Sequence, residues 1–293
     1  VTVRLEAAGT LQAPLAETFS ADLDIRSSRT QVGPLELRAP RLTFDYINRQ
    51  AMLHVESKEN GSTGPFRLST TVDLLSDHNE FNVYDVYFKA QDYAWSTVEP
   101  SVINAYANAF VVPETRLESR HPESGRRQQV RIEGTFSSMP SDTLQATAES
   151  VLLQPFSELA GLQRPIGGTL DGTVALTGGW KTPRTVSDVN VDWLSFDRRL
   201  LGRLHATTRY ALGTPDLLLD ASLQSVDRDT AAQPPDYLPY RLRRTEPNRI
   251  DLSGRVRLTE ATAQAALTDR SGDALDLSLR VERDDLFFFE YIF

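Results

Sequence analysis

The sequence predicts an all-β protein, an antiparallel meander with one apolar and one polar face, carrying one or two short helices. Three observations carry that expectation. Strand-length runs alternate apolar and polar residues, which puts each set on its own side of a pleated ribbon. Valine, threonine and aromatic residues fill those runs. Glycine, proline and aspartate close them at short intervals, as antiparallel connections do. The clearest run spans Ile166–Trp180, where Ile166, Leu170, Val174 and Leu176 alternate with Thr169, Asp171, Thr173 and Thr177.

Taken in order, Phe19, Ala21, Leu23 and Ile25 alternate with Ser20, Asp22, Asp24 and Arg26. Further strands are expected at Leu35–Leu37, Leu42–Tyr46, Ala51–Val55, Phe66–Leu75 and Phe81–Tyr93. Ser96–Phe110 reads as a helix, with Ser96 and Glu99 as a capping box and Val102, Ile103, Tyr106 and Phe110 on one stripe. A polar gap from Glu118 to Gln129 follows. It divides an N-terminal β-rich segment, residues 1–120 with the helix near 96–110, from a β-repeat region at residues 130–293. That region opens with strands at Val130–Phe136 and Thr143–Leu152. A second short helix is expected over Gln154–Gly161, where Phe156 and Leu159 share a face with Leu162 and Gly161 suits the stop. Strands then fall at Val186–Phe196, Leu200–Leu212, Leu217–Ser225, Ile250–Leu258, Ala261–Thr268 and Ala274–Val281. Residues 227–249 hold Pro234, Pro235, Pro239 and Pro247 without periodicity and read as a long loop. Arg131-Ile-Glu-Gly, Gly168-Thr-Leu-Asp-Gly and Asp251-Leu-Ser-Gly each set a glycine among alternating apolar residues. Glycine inside a strand marks a bend or a close backbone approach, which lets a sheet curl.

Composition narrows the function. A net charge of −9 argues against nucleic acid or anionic headgroups as the main partner. The absence of cysteine excludes a disulfide framework and thiolate metal or redox chemistry. The chain opens on Val1 with no signal-like segment and no apolar run of membrane-spanning length, so any anchor is expected outside it. His54, His78, His121 and His205 are scattered, so no metal is expected. Asp22 with Asp24, and Asp73 with Asp77, could pair carboxylates, but alternating acids are what any wet sheet face carries. No nucleophile elbow or phosphate loop is present, and no cofactor is expected. Arg241, Arg243 and Arg244 beside Tyr237 and Tyr240 fit either a solvated loop or a headgroup contact. The tail Leu286-Phe-Phe-Phe-Glu-Tyr-Ile-Phe is unusually aromatic.

The stretch Leu153-Gln-Pro-Phe-Ser-Glu-Leu-Ala-Gly-Leu, then Arg164-Pro-Ile-Gly-Gly-Thr-Leu-Asp-Gly-Thr-Val-Ala-Leu-Thr-Gly, then Trp180-Lys-Thr-Pro-Arg-Thr-Val-Ser-Asp-Val-Asn-Val resembles the repeat of the TamB and AsmA-like envelope proteins. The resemblance runs over residues 150–226, and the first ~120 residues share only the alternation. It implies an elongated antiparallel sheet curled into a taco-like trough with an apolar interior. It further implies a place in the periplasm of a double-membraned bacterium, an inner-membrane anchor outside this chain, phospholipid cargo, and an outer-membrane β-barrel assembly partner. On that reading the trough is lined by Phe19, Leu23, Ile25, Ile166, Leu170, Val174, Leu176, Leu217, Leu219 and Leu223. Ile250, Leu252, Val256, Leu258, Leu275, Leu277, Leu279 and Val281 continue the lining. Ile166, Leu170, Val174 and Leu176 are expected to share an interior with Leu217, Leu219 and Leu223. Three rivals stand beside it: a scaffold that pairs client strands with a sheet edge, a β-rich carbohydrate hydrolase, and a closed membrane barrel. Aromatics clustered at Tyr84–Trp95 and at the tail, rather than in two girdles, disfavour the barrel.

Overall fold

Two-residue turns and alternation together dictate a meander. Ile47 and Gln50 face each other across Asn48–Arg49, whose φ angles of 51° and 64° give the twist an antiparallel hairpin needs. A computed structural model describes residues 2–8, 20–32, 35–58, 63–120, 125–179, 183–197, 199–210, 216–225, 249–257 and 275–282. The described residues form strands and a single short helix, the all-β antiparallel class that the alternation predicts. They fall into two units, each taken by itself below.

The first unit carries β1 (Thr2–Ala8), β2 (Ser20–Arg26), β3 (Arg29–Val32), β4 (Leu35–Ile47), β5 (Gln50–Lys58) and β6 (Thr63–Leu74). It continues with β7 (His78–Ala90), β8 (Tyr93–Thr97), β9 (Ser101–Tyr106), β10 (Ala109–Arg120), β11 (Arg127–Ser137) and β12 (Leu144–Leu152). Neighbours pair antiparallel throughout, but two sheet positions are filled by interrupted strands. β2 and β3 both pair with β4, on either side of a bulge where Ala39 takes a φ of 44°. There the Ser27 amide donates to the Pro40 carbonyl at 3.1 Å and the Ala39 amide to Ser28 at 2.9 Å. Leu35–Leu37 and Leu42–Tyr46 are therefore one bent strand. Likewise β8 and β9 both lie between β7 and β10, broken at Val98–Pro100.

That second interruption corrects the expected helix at Ser96–Phe110. Pro100 has no N–H to give the first intrahelical bond of a Ser96-capped helix. Val98, Val102, Ile103 and the aromatics that follow suit a strand, and β7 offers a ladder: Ile103 faces Phe81 and Val102 faces Asn82. The apparent helical stripe is split, Ile103 to the apolar side and Val102 with Tyr106 to the polar side.

The other helix forms where expected. α1 (Leu153–Leu159) ends with the Ala160 and Gly161 amides reaching back to Phe156 and Glu158. Gly161 follows at a φ of 69°, the left-handed stop that glycine takes freely.

The second unit carries β13 (Ile166–Thr177), β14 (Arg184–Phe196), β15 (Arg199–Tyr210), β16 (Asp216–Gln224), β17 (Arg249–Arg257) and β18 (Leu275–Glu282). β14 to β18 pair antiparallel in sequence order. Gly202, at a φ of 139°, sits where the β14–β15 register shifts, and a Cβ there would strike the Gln224 carbonyl oxygen. Gly134 in the first unit repeats the device, with a φ of 116° against the Thr143 carbonyl. The strand glycines expected to mark close approach do so at Gly134, Gly168 and Gly172. Ala261–Thr268, residues 227–248 and the tail from 286 lie outside the described residues.

Candidate functional site

Residues directly opposite on paired strands share a sheet face, so register alone defines the surfaces. In the second unit one row runs Val191, Leu204, Leu223, Ile250 and on to position Val281. The next runs Val189, Ala206, Ala221, Leu252 and position Leu279, and a third Ser187, Thr208, Leu219, Gly254 and position Leu277. Tyr210, Leu217, Val256 and Leu275 complete the set by position. The opposite face reads Asn190, His205, Ser222, Asp251 and Arg280, then Asp188, Thr207, Asp220, Ser253 and Ser278. Over β14 to β17 one face is mainly apolar, interrupted at Ser187 and Thr208, and the other mainly polar, and the register continues to β18.

The first unit is built in the same way. Ile25, Leu42, Val55, Leu68 and Val86 form one apolar row. Leu23, Phe44, Leu53, Thr70, Val83 and Ser101 form the next. On the reverse, Asp24, Thr43, His54, Ser69 and Asp85 line up. Some large apolar residues do stand on that reverse side, Met52 and Val102 among them, each exposed.

Burial tells what covers the apolar faces. Leu23, Ile25, Leu42, Phe44, Leu53, Val55 and Leu68 are only half-buried, as are Leu204, Leu217, Leu219, Leu223, Ile250 and Leu252. The inner face of a closed sandwich would bury such residues almost completely. Among the described residues the buried apolar side chains are few, and one of them, Trp95, packs against α1. There Trp95, 1% exposed, stacks on Phe88 with ring centroids 6.2 Å apart and takes Phe156 edge-on at 5.3 Å. Phe156 also meets Phe88 at 6.2 Å, and Gln91 donates to the Glu158 carboxylate beside them. The alternation in the sequence exposes the rows; nothing in it announces the Phe88–Trp95–Phe156 contact, which joins residues far apart in the chain.

Among the residues expected to line a trough, Leu23, Ile25, Leu217, Leu219, Leu223, Ile250 and Leu252 belong to these rows. Ile166, Leu170 and Leu176 on β13 are half-buried, whereas Val174 is 41% exposed. Val256, Leu275, Leu277, Leu279 and Val281 are placed by backbone register alone, and Phe19 and Leu258 lie outside the described residues. Sequence reading passed over Leu42, Phe44, Leu53, Val55, Leu68 and Leu204 as lining, although each lies in an alternating run.

The polar faces carry solvated ion pairs. Arg26 and Arg41 donate to Asp24 at 2.6 and 3.2 Å, and these bonds hold its pKa down at about 2. Across the same ladder Asp22 and Asp45 are directly opposed, and a shared hydrogen bond, then desolvation and repulsion, raise the Asp45 pKa. The arrangement nearest to catalytic chemistry is His54, whose Nδ1 lies 2.7 Å from Ser69 Oγ and whose Nε2 lies 3.7 Å from Glu56. His54 and Glu56 are 40% and 46% exposed on the outer face, so water competes for every one of these bonds. Among the described residues no group of three or more His, Asp or Glu is placed to hold a metal. No helix there is long and apolar enough to cross a membrane.

No family model matches the chain, and no curated protein or solved structure is significantly similar to it. The rows themselves must carry the functional argument.

Proposed function

We propose that the chain is a non-catalytic conduit segment of the TamB and AsmA-like kind. It carries phospholipid acyl chains between the inner and outer membranes of a double-membraned bacterium, in the service of outer-membrane biogenesis. The observation that supports this reading is an apolar sheet face, several strands wide in each unit, whose residues stay half-buried. Such a face has room for a hydrocarbon partner. A tail of ~14 methylenes costs on the order of 11 kcal/mol to hold in water, at about 0.8 per methylene. Leucine, valine and isoleucine remove most of that cost without a tight site, so a chain can slide along them. Headgroups stay at the strand ends, in water. Leu23, Ile25, Leu217, Leu219, Leu223, Ile250 and Leu252 are the lining residues on this proposal, with Ile166, Leu170, Val174 and Leu176 beside them.

The test is native mass spectrometry after mild extraction, paired with uptake of a fluorescent phospholipid from vesicles. Bound phospholipid and saturable uptake are expected. A chain that carries no lipid and takes up none would defeat the proposal.

A further inference from the structure

Where Phe156 of α1 meets Phe88 and Trp95, the apolar face of the first unit changes character. Register aligns Ser57, Phe66, Phe88, Trp95, Ser119 and Gln128 in one row across β5, β6, β7, β8, β10 and β11. Its middle is aromatic and its flanks are polar. Ser57, Trp95 and Ser119 are 8%, 1% and 3% exposed, and Ser57 Oγ, Trp95 Nε1 and Ser119 Oγ are buried without a hydrogen-bond partner. A buried donor with no acceptor is unfavourable, so three in one row need an explanation. The neighbouring row on the same face, Val55, Leu68, Val86, Thr97, Leu117 and Val130, is largely aliphatic.

The covering element is slight. α1 has seven residues, below the length at which a helix holds itself together in water. Phe156 rests on Trp95 and Phe88, Gln91 ties to Glu158, and Pro155 and Ser157 are buried. α1 brings an aromatic ring to the row but leaves the Trp95 and Ser119 donors unanswered.

Resting on the conduit reading, we infer that this row binds the ester region of a glycerolipid and that α1 is a displaceable cover competing for it. When α1 lifts, the acyl carbonyls accept from Trp95 Nε1 and Ser119 Oγ, and the first methylenes lie over Phe88 and Phe66. The aliphatic row beside it takes the rest of the chain. The covered state leaves donors empty and the occupied state fills them, which gives a lipid its advantage over Phe156.

The experiment uses the full chain with Trp180→Phe and Trp193→Phe, so that Trp95 is the one fluorophore of its kind. Gln91→Cys and Glu158→Cys are added; the chain has no other cysteine, so a short bifunctional thiosulfonate bridges only these two, reversibly. The probe is vesicles of phosphatidylcholine brominated near the carbonyl of one chain, which quenches a nearby indole. Quenching of Trp95 is expected with the bridge reduced and should be lost with the bridge closed. An ether-linked analogue, which lacks the carbonyl acceptors, should quench roughly fivefold less well, and Ser119→Ala should erase most of that difference. Equal quenching with the bridge open and closed would overturn the cover. Equal quenching by ester and ether lipids would overturn the ester site. Lipid retained in mass spectra with Trp95 never quenched would overturn the row while leaving the conduit standing. No lipid bound at all would remove both.

Discussion

Replacing Leu219 by arginine should block acyl-chain passage along the second unit without unfolding it. Leu219 is half-buried on β16, directly between Thr208 and Gly254. Gly254 has no side chain, so the longer arginine has room, and the folding cost should stay within about 2 kcal/mol. Strands lie about 4.8 Å apart, so a chain crossing the sheet lays about four methylenes over each strand. A hydrated guanidinium holding those four away from the wall forfeits about 3 kcal/mol, a weakening of roughly 150-fold. Ser222→Arg is the matched control, because Ser222 lies on the opposite face with Asp251 as its cross-strand neighbour. The assay is extraction of a fluorescent phospholipid from donor vesicles, with thermal melting of each variant measured alongside. The expected result is loss of extraction by Leu219→Arg alone, both variants melting near the parent. Full extraction by a well-folded Leu219→Arg protein would refute the conduit argument, since it would mean that lipid does not touch this face.

Other expectations follow from the same geometry. Gly202→Ala should cost about 2–4 kcal/mol in urea unfolding, because a methyl group there meets the Gln224 carbonyl at a φ that alanine disfavours; an unchanged midpoint would contradict the register at that bulge. Asp24 titrates at about 2 when folded against 3.8 as its reference, so its stabilising contribution is present above pH ~4 and lost as pH falls through about 2; Arg41→Gln should shrink that acid-side loss in a pH series of melts. Asp45 has the opposite sign, so Asp22→Asn should raise the melting temperature at neutral pH and lose that benefit below the ordinary carboxylate range. Alanine at His54, His78, His205, Asp171 or Asp22 should leave lipid uptake within twofold, and no glycoside or ester hydrolysis should be measurable; activity that disappears with His54→Ala would reverse the non-catalytic reading.

The faces were legible because register and alternation obey the same period of two. Once Leu217, Leu219 and Leu223 alternate with Leu218, Asp220 and Ser222, hairpin pairing with Ile250 and Leu252 can only extend one apolar surface. What stayed hidden needed information that alternation does not hold. The Ser96–Phe110 segment offers a good local capping signal, and only the waiting edges of β7 and β10 show that a ladder outweighs it. The breaks at Ser27–Ser28 and Val98–Pro100 fall between runs that, read locally, look like separate elements.

The polar members of the apolar face were hidden for a different reason. Ser57, Ser119 and Gln128 each occupy an inward position of their strand, where a period-two reading would put an apolar residue. Read singly along the chain, each is an irregularity in an otherwise plain strand. Only the register brings them level with Phe66, Phe88 and Trp95, and all three are buried. Alternation therefore locates the apolar surface on which the conduit proposal rests. The departures from it, aligned across six strands, mark on the conduit proposal where a polar group of the lipid would lie.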